Sequence, residues 1–423
     1  MKTTKFFFMA ALALMTAACS SNDDELIQQP VEQPANNMIT ITAKLAPKSS
    51  SAQTRAMNES GGNIVVDWAQ NEQLQIISAN GHTATANIDN VTSGVATISF
   101  AIDAAAVGQN CTIVYPASAA TTTGVKAYAD NAALTAQDGT LKYDIDVRVG
   151  AGTISTSNPG TMTVTTQPEA QYSIFKFTLQ DLSTAAKSAT EFKVSDNSGN
   201  VITTVTPTSA SGELYVALPV MAAGTYWFNA TIDSKPYIAK ATTAAATVAG
   251  KYYQTTVKMA TIGDVILSDG KFAVRSSNTG TEVAMIAYLG SSTGVAGYTH
   301  GLALALTDKG QMSWTDATDA SGAAAHTPAA PTSMTSSWML PSKDQWTNMI
   351  NACKNVLGTN NNYTDLRDGF SGITGASNLQ SDLYWSSTEK GSGYAWDYDF
   401  DDGGWSFDDK DDDGIRVRAF LAF

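Results

Sequence analysis

Ile39, Ile41, Ala43 and Leu45 alternate with Thr40, Thr42 and Lys44, and this period of two sets the pattern for much of the chain that follows. Such alternation puts apolar side chains on one face of a half-buried strand and polar ones on the other. Further strands are predicted at 74–78, 96–102, 112–115, 173–179, 191–194, 214–218 and 226–232. Short clusters of Gly, Asn, Asp and Ser separate them, and abundant threonine favours pleated backbone. Only residues 182–190 read as locally helical. Closely spaced strands with no helices between them predict β-sandwiches rather than a parallel sheet. A stretch rich in Asp and Gly at 135–145 predicts a boundary, giving β domains at 38–140 and 141–260.

The start of the chain has a different logic. Lys2 and Lys5 precede an uncharged apolar run at 6–18, and the small residues Ala17 and Ala18 stand directly before Cys19. That order predicts a secretory signal, and the run is too short to span a bilayer. With cysteine after the cut, the pattern resembles a bacterial lipobox, which implies acylation of Cys19 and an outer-membrane lipid anchor. Residues 19–37 carry Asp23, Asp24 and Glu25, then Gln, Pro and Asn, and predict a flexible tether. The acidic cluster reads either as solvated linker or, by resemblance, as the surface-export signal of Bacteroidetes lipoproteins.

Composition narrows the function. The 423 residues are 43% hydrophobic, enough for several cores. A net charge of −14 argues against nucleic acid as a partner. His82, His300 and His326 lie apart, with no zinc-ligand spacing. Cys111 and Cys353 fall in different predicted domains and read as two buried free thiols.

Three local patterns resemble the fimbrillin family of Bacteroidetes, the subunits of protease-assembled pili. They are Asp67-Trp68 followed by Glu72 and the strand at 74–77, the strand ending at Tyr115-Pro116, and residues 237–240 followed by Gly250-Lys251-Tyr252-Tyr253. The resemblance covers residues 38–260 and implies two tandem β-sandwich domains. It also implies maturation by an arginine-specific cut, which Arg55 and Ala56 would supply within the polar stretch 49–56. Such a cut would free the strand at 39–45 and leave a groove for a neighbouring subunit's strand.

From residue 261 the chain changes, and six of its eight tryptophans lie between Trp314 and Trp405. Ser342 and Gln345 have the spacing of a capping box, and Trp346, Ile350, Cys353 and Leu357 recur on one helical face that Gly358 would end. Residues 338–346, 384–389 and 415–420, with 263–265, 268–270, 284–289 and 300–306, resemble a Bacteroidetes surface domain related to C-type lectins and formylglycine-generating enzymes. That resemblance covers 261–423 and implies an α+β domain. The cysteine pair of the formylglycine enzymes is missing, since Cys353 stands alone on an apolar helix face, so no enzyme is expected.

The last thirty residues hold nine aspartates against three cations. Trp396, Tyr398 and Phe400 alternate with Asp397, Asp399 and Asp401, predicting an aromatic face and a carboxylate face. Residues 409–414 match the first half of a calcium loop, but Phe420 stands where the twelfth-position acid belongs, which excludes an EF-hand. A looser Ca²⁺ or ligand site around Trp396, Asp397, Asp399, Asp401, Trp405, Asp409, Asp411 and Asp413 stays open beside a solvated acidic hairpin. Taken together, the expectation is a mainly β surface lipoprotein, an accessory or tip subunit of an adhesive fimbria. Its partners would be other fimbrial subunits and a host or bacterial surface glycan or protein. The alternative is a non-polymerising carbohydrate- or protein-binding lipoprotein.

Overall fold

The computed structural model describes residues 37–48, 58–60, 63–155, 160–354 and 356–423. Cys19, Arg55 and Ala56 lie outside them. The fold is mainly β, as the alternation predicts, and residues Met38–Phe423 form one compact unit.

Seven strands close into a barrel: β1 (Met38–Leu45), β2 (Gln73–Ser78), β3 (Thr83–Thr92), β4 (Val95–Asp103), β5 (Asn110–Tyr115), β6 (Arg148–Ile154) and β7 (Gly160–Ala170). Their order around the barrel is β1-β7-β6-β5-β2-β3-β4. The alternating residues converge inside, with Ile41, Leu45, Leu74, Ile76, Ile98, Ile102 and Ile113 all fully buried. The predicted packing of one β face against another is met here by a sheet that closes on itself, because β1 reaches both β4 and β7. One expectation changes. The strands β6 and β7, placed beyond a boundary at 140, pair with β5 and with each other and so belong to the barrel.

The next sheet contains β8 (Ser173–Asp181), β9 (Glu191–Asp196), β10 (Val201–Val205), β11 (Glu213–Leu218), β12 (Gly224–Ile232), β13 (Lys235–Thr243) and β14 (Tyr252–Thr261). It runs β11-β8-β14-β13-β12-β9-β10 and ends on the short strand Ala136–Gln137. Folding over itself, it encloses Phe175, Phe177, Phe192, Val216, Phe228 and Met259. No helix forms at 182–190, where a turn and isolated bridges join β8 to β9. There Asp181 Oδ1 accepts hydrogen bonds from the backbone N–H of Ser183 (2.9 Å) and Ala185 (3.0 Å), holding the turn open. Val114 of β5, with Val66 and Ile145 from the connections between barrel strands, shares a core with Ile174 and Ala217 of this sheet.

The C-terminal third has two sheets. Phe272–Ala273, β15 (Val265–Leu267), β16 (Glu282–Leu289), β17 (Gly301–Ala305) and β22 (Phe420–Ala422) form one, in that order. The other runs from Gly310–Gln311 through β21 (Arg416–Val417), β18 (Leu383–Glu389) and β19 (Tyr394–Asp399) to β20 (Trp405–Asp409) at its edge. Between the sheets lies α1 (Lys343–Cys353), and its start follows the predicted capping box. Gln345 N–H donates to Ser342 Oγ (3.3 Å), and Ser342 N–H donates to Gln345 Oε1 (2.8 Å). Trp346, Ile350 and Cys353 are buried as the spacing requires, although the helix stops at Cys353 rather than at Gly358. Leu357, beyond the helix end, still packs on the same cluster.

Buried charge organises this third. Arg418 is fully buried and donates to Asp308 Oδ1 (2.7 Å), Ala305 O (2.9 Å) and Ser377 O (3.1 Å). Tyr384 Oη donates to the second Asp308 oxygen (2.9 Å). Both sheets are tied through that carboxylate, since Arg418 lies between β21 and β22 while Tyr384 lies on β18.

Candidate functional site

The barrel has one weak seam. β1 pairs antiparallel with β4 along its whole length, from Met38 opposite Asp103 to Leu45 opposite Ala96. On its other side it meets β7 in parallel at only two positions, Ile41 with Gly160 and Thr42 with Thr161. The glycine is what allows this approach, because a Cβ at position 160 would sit 2.5 Å from Ile41 Cδ1. Ile41, Ala43 and Leu45 point inward and are buried. Full burial of an Ile or Leu side chain contributes about 2 kcal/mol, so β1 fills a real apolar slot. Just past β1, Ala46 N–H also donates to Gln167 Oε1 of β7 (2.9 Å), so this side of the barrel is joined by little backbone pairing and one side-chain bond.

Immediately after β1 the chain is held by a buried cation. The Lys48 side chain is 1% exposed, and its Nζ lies 3.3 Å from Asp146 and 3.7 Å from Glu72. The ammonium also sits over two rings, 3.5 Å from the Tyr115 centroid and 4.2 Å from that of Trp68. Burial pulls the Lys48 ammonium below its ordinary value, and the Asp146 and Glu72 carboxylates oppose that pull. Trp68 Nε1 donates to Ala46 O (2.8 Å), and Arg148 Nε donates to Asp146 (2.8 Å). A cavity of about 190 Å³ opens beside Lys48 and is lined also by Asp146, Arg148, Gly250 and Tyr252. Parts of the three patterns, Trp68 with Glu72, Tyr115, and Gly250 with Tyr252, thus gather around the end of β1, whereas residues 237–240 do not line this cavity. Sequence reasoning missed Lys48 itself. Its only signal was a lone lysine just past an amphipathic strand.

The second candidate is the β19–β20 hairpin. Asp397 is fully buried, opposite Trp385 in register, and neither of its carboxylate oxygens has a hydrogen-bond partner among the described residues. Burial, followed by repulsion from Asp408 and Asp399, pushes its carboxyl up to about 7. The predicted carboxylate face is therefore covered at this position, because the segment at 312–314 packs over β18. Trp385 Nε1 donates to Met312 O (2.9 Å) and Trp314 Nε1 to Ser386 O (2.8 Å).

The other predicted acids do not converge. Asp399 Oδ1 accepts from Asp401 N–H (2.7 Å) and Asp409 Oδ1 from Asp411 N–H (3.1 Å), while Asp413 is exposed. These carboxylates shape their own turns. Among the described residues, no group of three or more His, Cys, Asp or Glu is placed to hold a metal ion, so the calcium expectation has no ligand set here.

Asp397 has a measurable consequence. Its native carboxyl titrates near 7 against an ordinary 3.8, so the native state holds a proton that the unfolded chain releases between those values. Stability from this group is thus lost as pH rises toward 7. Asp397→Asn should raise stability at pH 8 by roughly 2–4 kcal/mol and leave it nearly unchanged at pH 4. Urea denaturation at both pH values checks this, and equal effects at the two would refute the assignment.

On the opposite face, Trp396 and Trp405 are half-buried, whereas Tyr394 (49%) and Phe407 (47%) are the exposed rings. Lys343 Nζ lies 3.2 Å from the Trp396 centroid and 4.9 Å from that of Trp405, and Lys390 Nζ lies 4.4 Å from Trp396. Lys343 stands at the first position of α1, so the capping box aims it at the hairpin. The remaining candidates serve packing. His300 stacks on Trp227 at 4.0 Å and His326 meets Trp338 at 4.9 Å, and burial lowers both imidazoles to about 4. Cys111 and Cys353 are free and buried. Burial raises both thiols, Cys111 to about 11.

No family model and no curated protein matches this chain. Among solved structures, a fimbrial protein from Bacteroides ovatus ATCC 8483 is 14% identical with a TM-score of 0.30, covering 92% of this chain and 99% of its own. A putative cell adhesion protein from Bacteroides uniformis ATCC 8492 is 13% identical with a TM-score of 0.30, covering 54% of this chain and 98% of its own. A tip fimbrial protein from Porphyromonas gingivalis with C-terminal truncation is 8% identical with a TM-score of 0.24, covering 53% and 98%. Superpositions this loose fix neither family nor function.

Proposed function

We propose that this chain is a cell-surface adhesive subunit that accepts a strand from a neighbouring subunit in place of β1. The observation that carries this reading is the seam, an amphipathic strand buried in a closed barrel yet paired to β7 at two positions only. Cleavage after Arg55 releases β1 together with the lipid on Cys19, and the vacated slot between β4 and β7 then takes a new strand by β-addition. Before the cut, the lipid holds the subunit at the outer membrane. The C-terminal third supplies the adhesive surface, and its role is binding rather than catalysis.

An accessory or tip position belongs to this reading. β22 is committed to its own sheet, where Leu302, Ala303 and Leu304 pair with Ala422, Leu421 and Phe420.

An Arg55→Ala variant should stay at full length and drop out of sheared polymers, while the parent chain begins at Ala56 by N-terminal sequencing. Normal incorporation of the variant would refute the reading. A second reading, a tethered monomeric binder, draws on the Lys48 clamp, which ties the end of β1 to Glu72 and Asp146. It requires every surface molecule to begin at a lipidated Cys19.

A further inference from the structure

We propose that the exposed aromatic edge of the β19–β20 hairpin binds a carboxylated saccharide, with the sugar ring on Tyr394 and Phe407 and its acid group held by Lys343 and Lys390. This assignment rests on the C-terminal third being the adhesive surface and names the class of ligand it takes.

The cations carry the argument. Lys343 and Lys390 both direct their ammonium groups at Trp396, and Lys390 Nζ also lies 5.4 Å from the Phe407 centroid. Among the described residues, neither ammonium has a carboxylate within salt-bridge distance. Lys410, close by in the same region, does have one in Glu389 (3.2 Å). Two like charges are therefore gathered on one indole, in a chain of net charge −14, with Asp344 beside Lys343 as a weaker opposing charge. Burial and then the neighbouring Lys390 lower the Lys343 ammonium from its ordinary value, the mark of a pair that a bound anion would relieve.

The rings define the rest of the ligand. Tyr394 and Phe407 meet edge to face, with centroids 6.0 Å apart and planes at 87°, and Phe407 meets Trp396 in the same way at 5.8 Å. Trp396 is engaged by both lysines, and the exposed stacking surface is Tyr394 and Phe407. Exposed aromatics beside fixed polar groups suit a pyranose, whose C–H face stacks while its substituents are read. β20 is the edge of its sheet, which leaves the approach open on that side.

Charge decides between anions. Asp409 stands opposite Tyr394 in register, and Asp408, Asp411, Asp412 and Asp413 lie at the same end of β20. A polyanion laid across the hairpin meets that field and is repelled. A single carboxylate placed between the two ammonium groups at Trp396 gains both contacts and leaves only the uncharged part of the ring beside Asp409. The occupant is thus a saccharide bearing isolated carboxylates, as in uronic or sialic acid residues, rather than a densely sulfated chain or an acidic peptide.

The test titrates the full chain with trigalacturonate, 3′-sialyllactose, neutral lactose, dextran sulfate and a hexaglutamate peptide. Tryptophan fluorescence reads out Trp396 and Trp405, and calorimetry gives affinity. One or both carboxylated saccharides should bind, and which of them does identifies the source of the acid. Lactose should bind at least tenfold more weakly, and Lys343→Gln with Lys390→Gln should weaken the acidic sugar by about tenfold or more. Phe407→Ala should weaken it severalfold with an unchanged melting midpoint. Equal binding of lactose, tighter binding of dextran sulfate or the peptide, or no saccharide binding would each overturn the proposal. Incorporation of the Arg55→Ala variant is measured separately on cells, so strand exchange stands or falls apart from the sugar.

Discussion

Asp308→Ala should collapse the packing of the C-terminal third, at a cost of about 3–5 kcal/mol, because it leaves a buried guanidinium without its counter-charge. Arg418 is fully buried, and after the substitution the carbonyls of Ala305, Ser377 and Asn378 and the face of Phe370, 4.9 Å away, remain to it. The same change strips Tyr384 Oη of its acceptor and Arg416, 3.6 Å from Asp308, of one of its two carboxylate partners. Six of the eight tryptophans lie in this region, so near-ultraviolet circular dichroism and tryptophan emission report its unfolding directly. Asp308→Asn, which keeps an acceptor while losing the charge, should cost less than alanine. A melting midpoint within one or two degrees of the parent for the alanine variant would show that the carboxylate does not organise the two sheets.

Starting the chain at Ala56 removes β1 and Lys48 together, and the barrel should then open. The loss of Ile41 and Leu45 removes about 4 kcal/mol of apolar burial. It also leaves Glu72 and Asp146 facing one another with Arg148 as the remaining neighbour. The shortened chain should bind a hydrophobic dye, and a synthetic peptide of residues 38–48 should restore the parent melting midpoint. Shifting the peptide's alternation by one residue turns every apolar side chain outward and should abolish rescue. A peptide carrying Lys48→Met should bind roughly tenfold more weakly, since the slot expects a cation past its last apolar residue. If the shortened chain binds no dye and ignores the peptide, β1 is not the piece that makes the slot.

Legibility varied with distance along the chain. The capping box at Ser342 and Gln345 could be read directly, because both partners lie within one helical turn. The inward set of β1 was equally plain, because it depends only on a period of two. Residues 182–190 misled, since Thr184 takes a left-handed φ of 73° and the bridges at Ala186 and Ala189 hold the segment extended. The boundary at 140 misled for another reason. Its Asp and Gly residues mark a loop, but a loop does not say which sheet the following strand rejoins.

Alternation and capping alone determined that this chain is mainly β, that residues 38–45 turn Ile41, Ala43 and Leu45 to a core, and that one amphipathic helix follows Ser342. These are properties of residues a few positions apart. Tertiary structure alone decided that β1 closes a barrel, that Lys48 meets Trp68, Glu72, Tyr115 and Asp146, and that Asp397 is covered while Tyr394 and Phe407 are not. Each of those outcomes depends on segments tens of residues apart arriving at one place, where burial and charge are set by neighbours that no local pattern names.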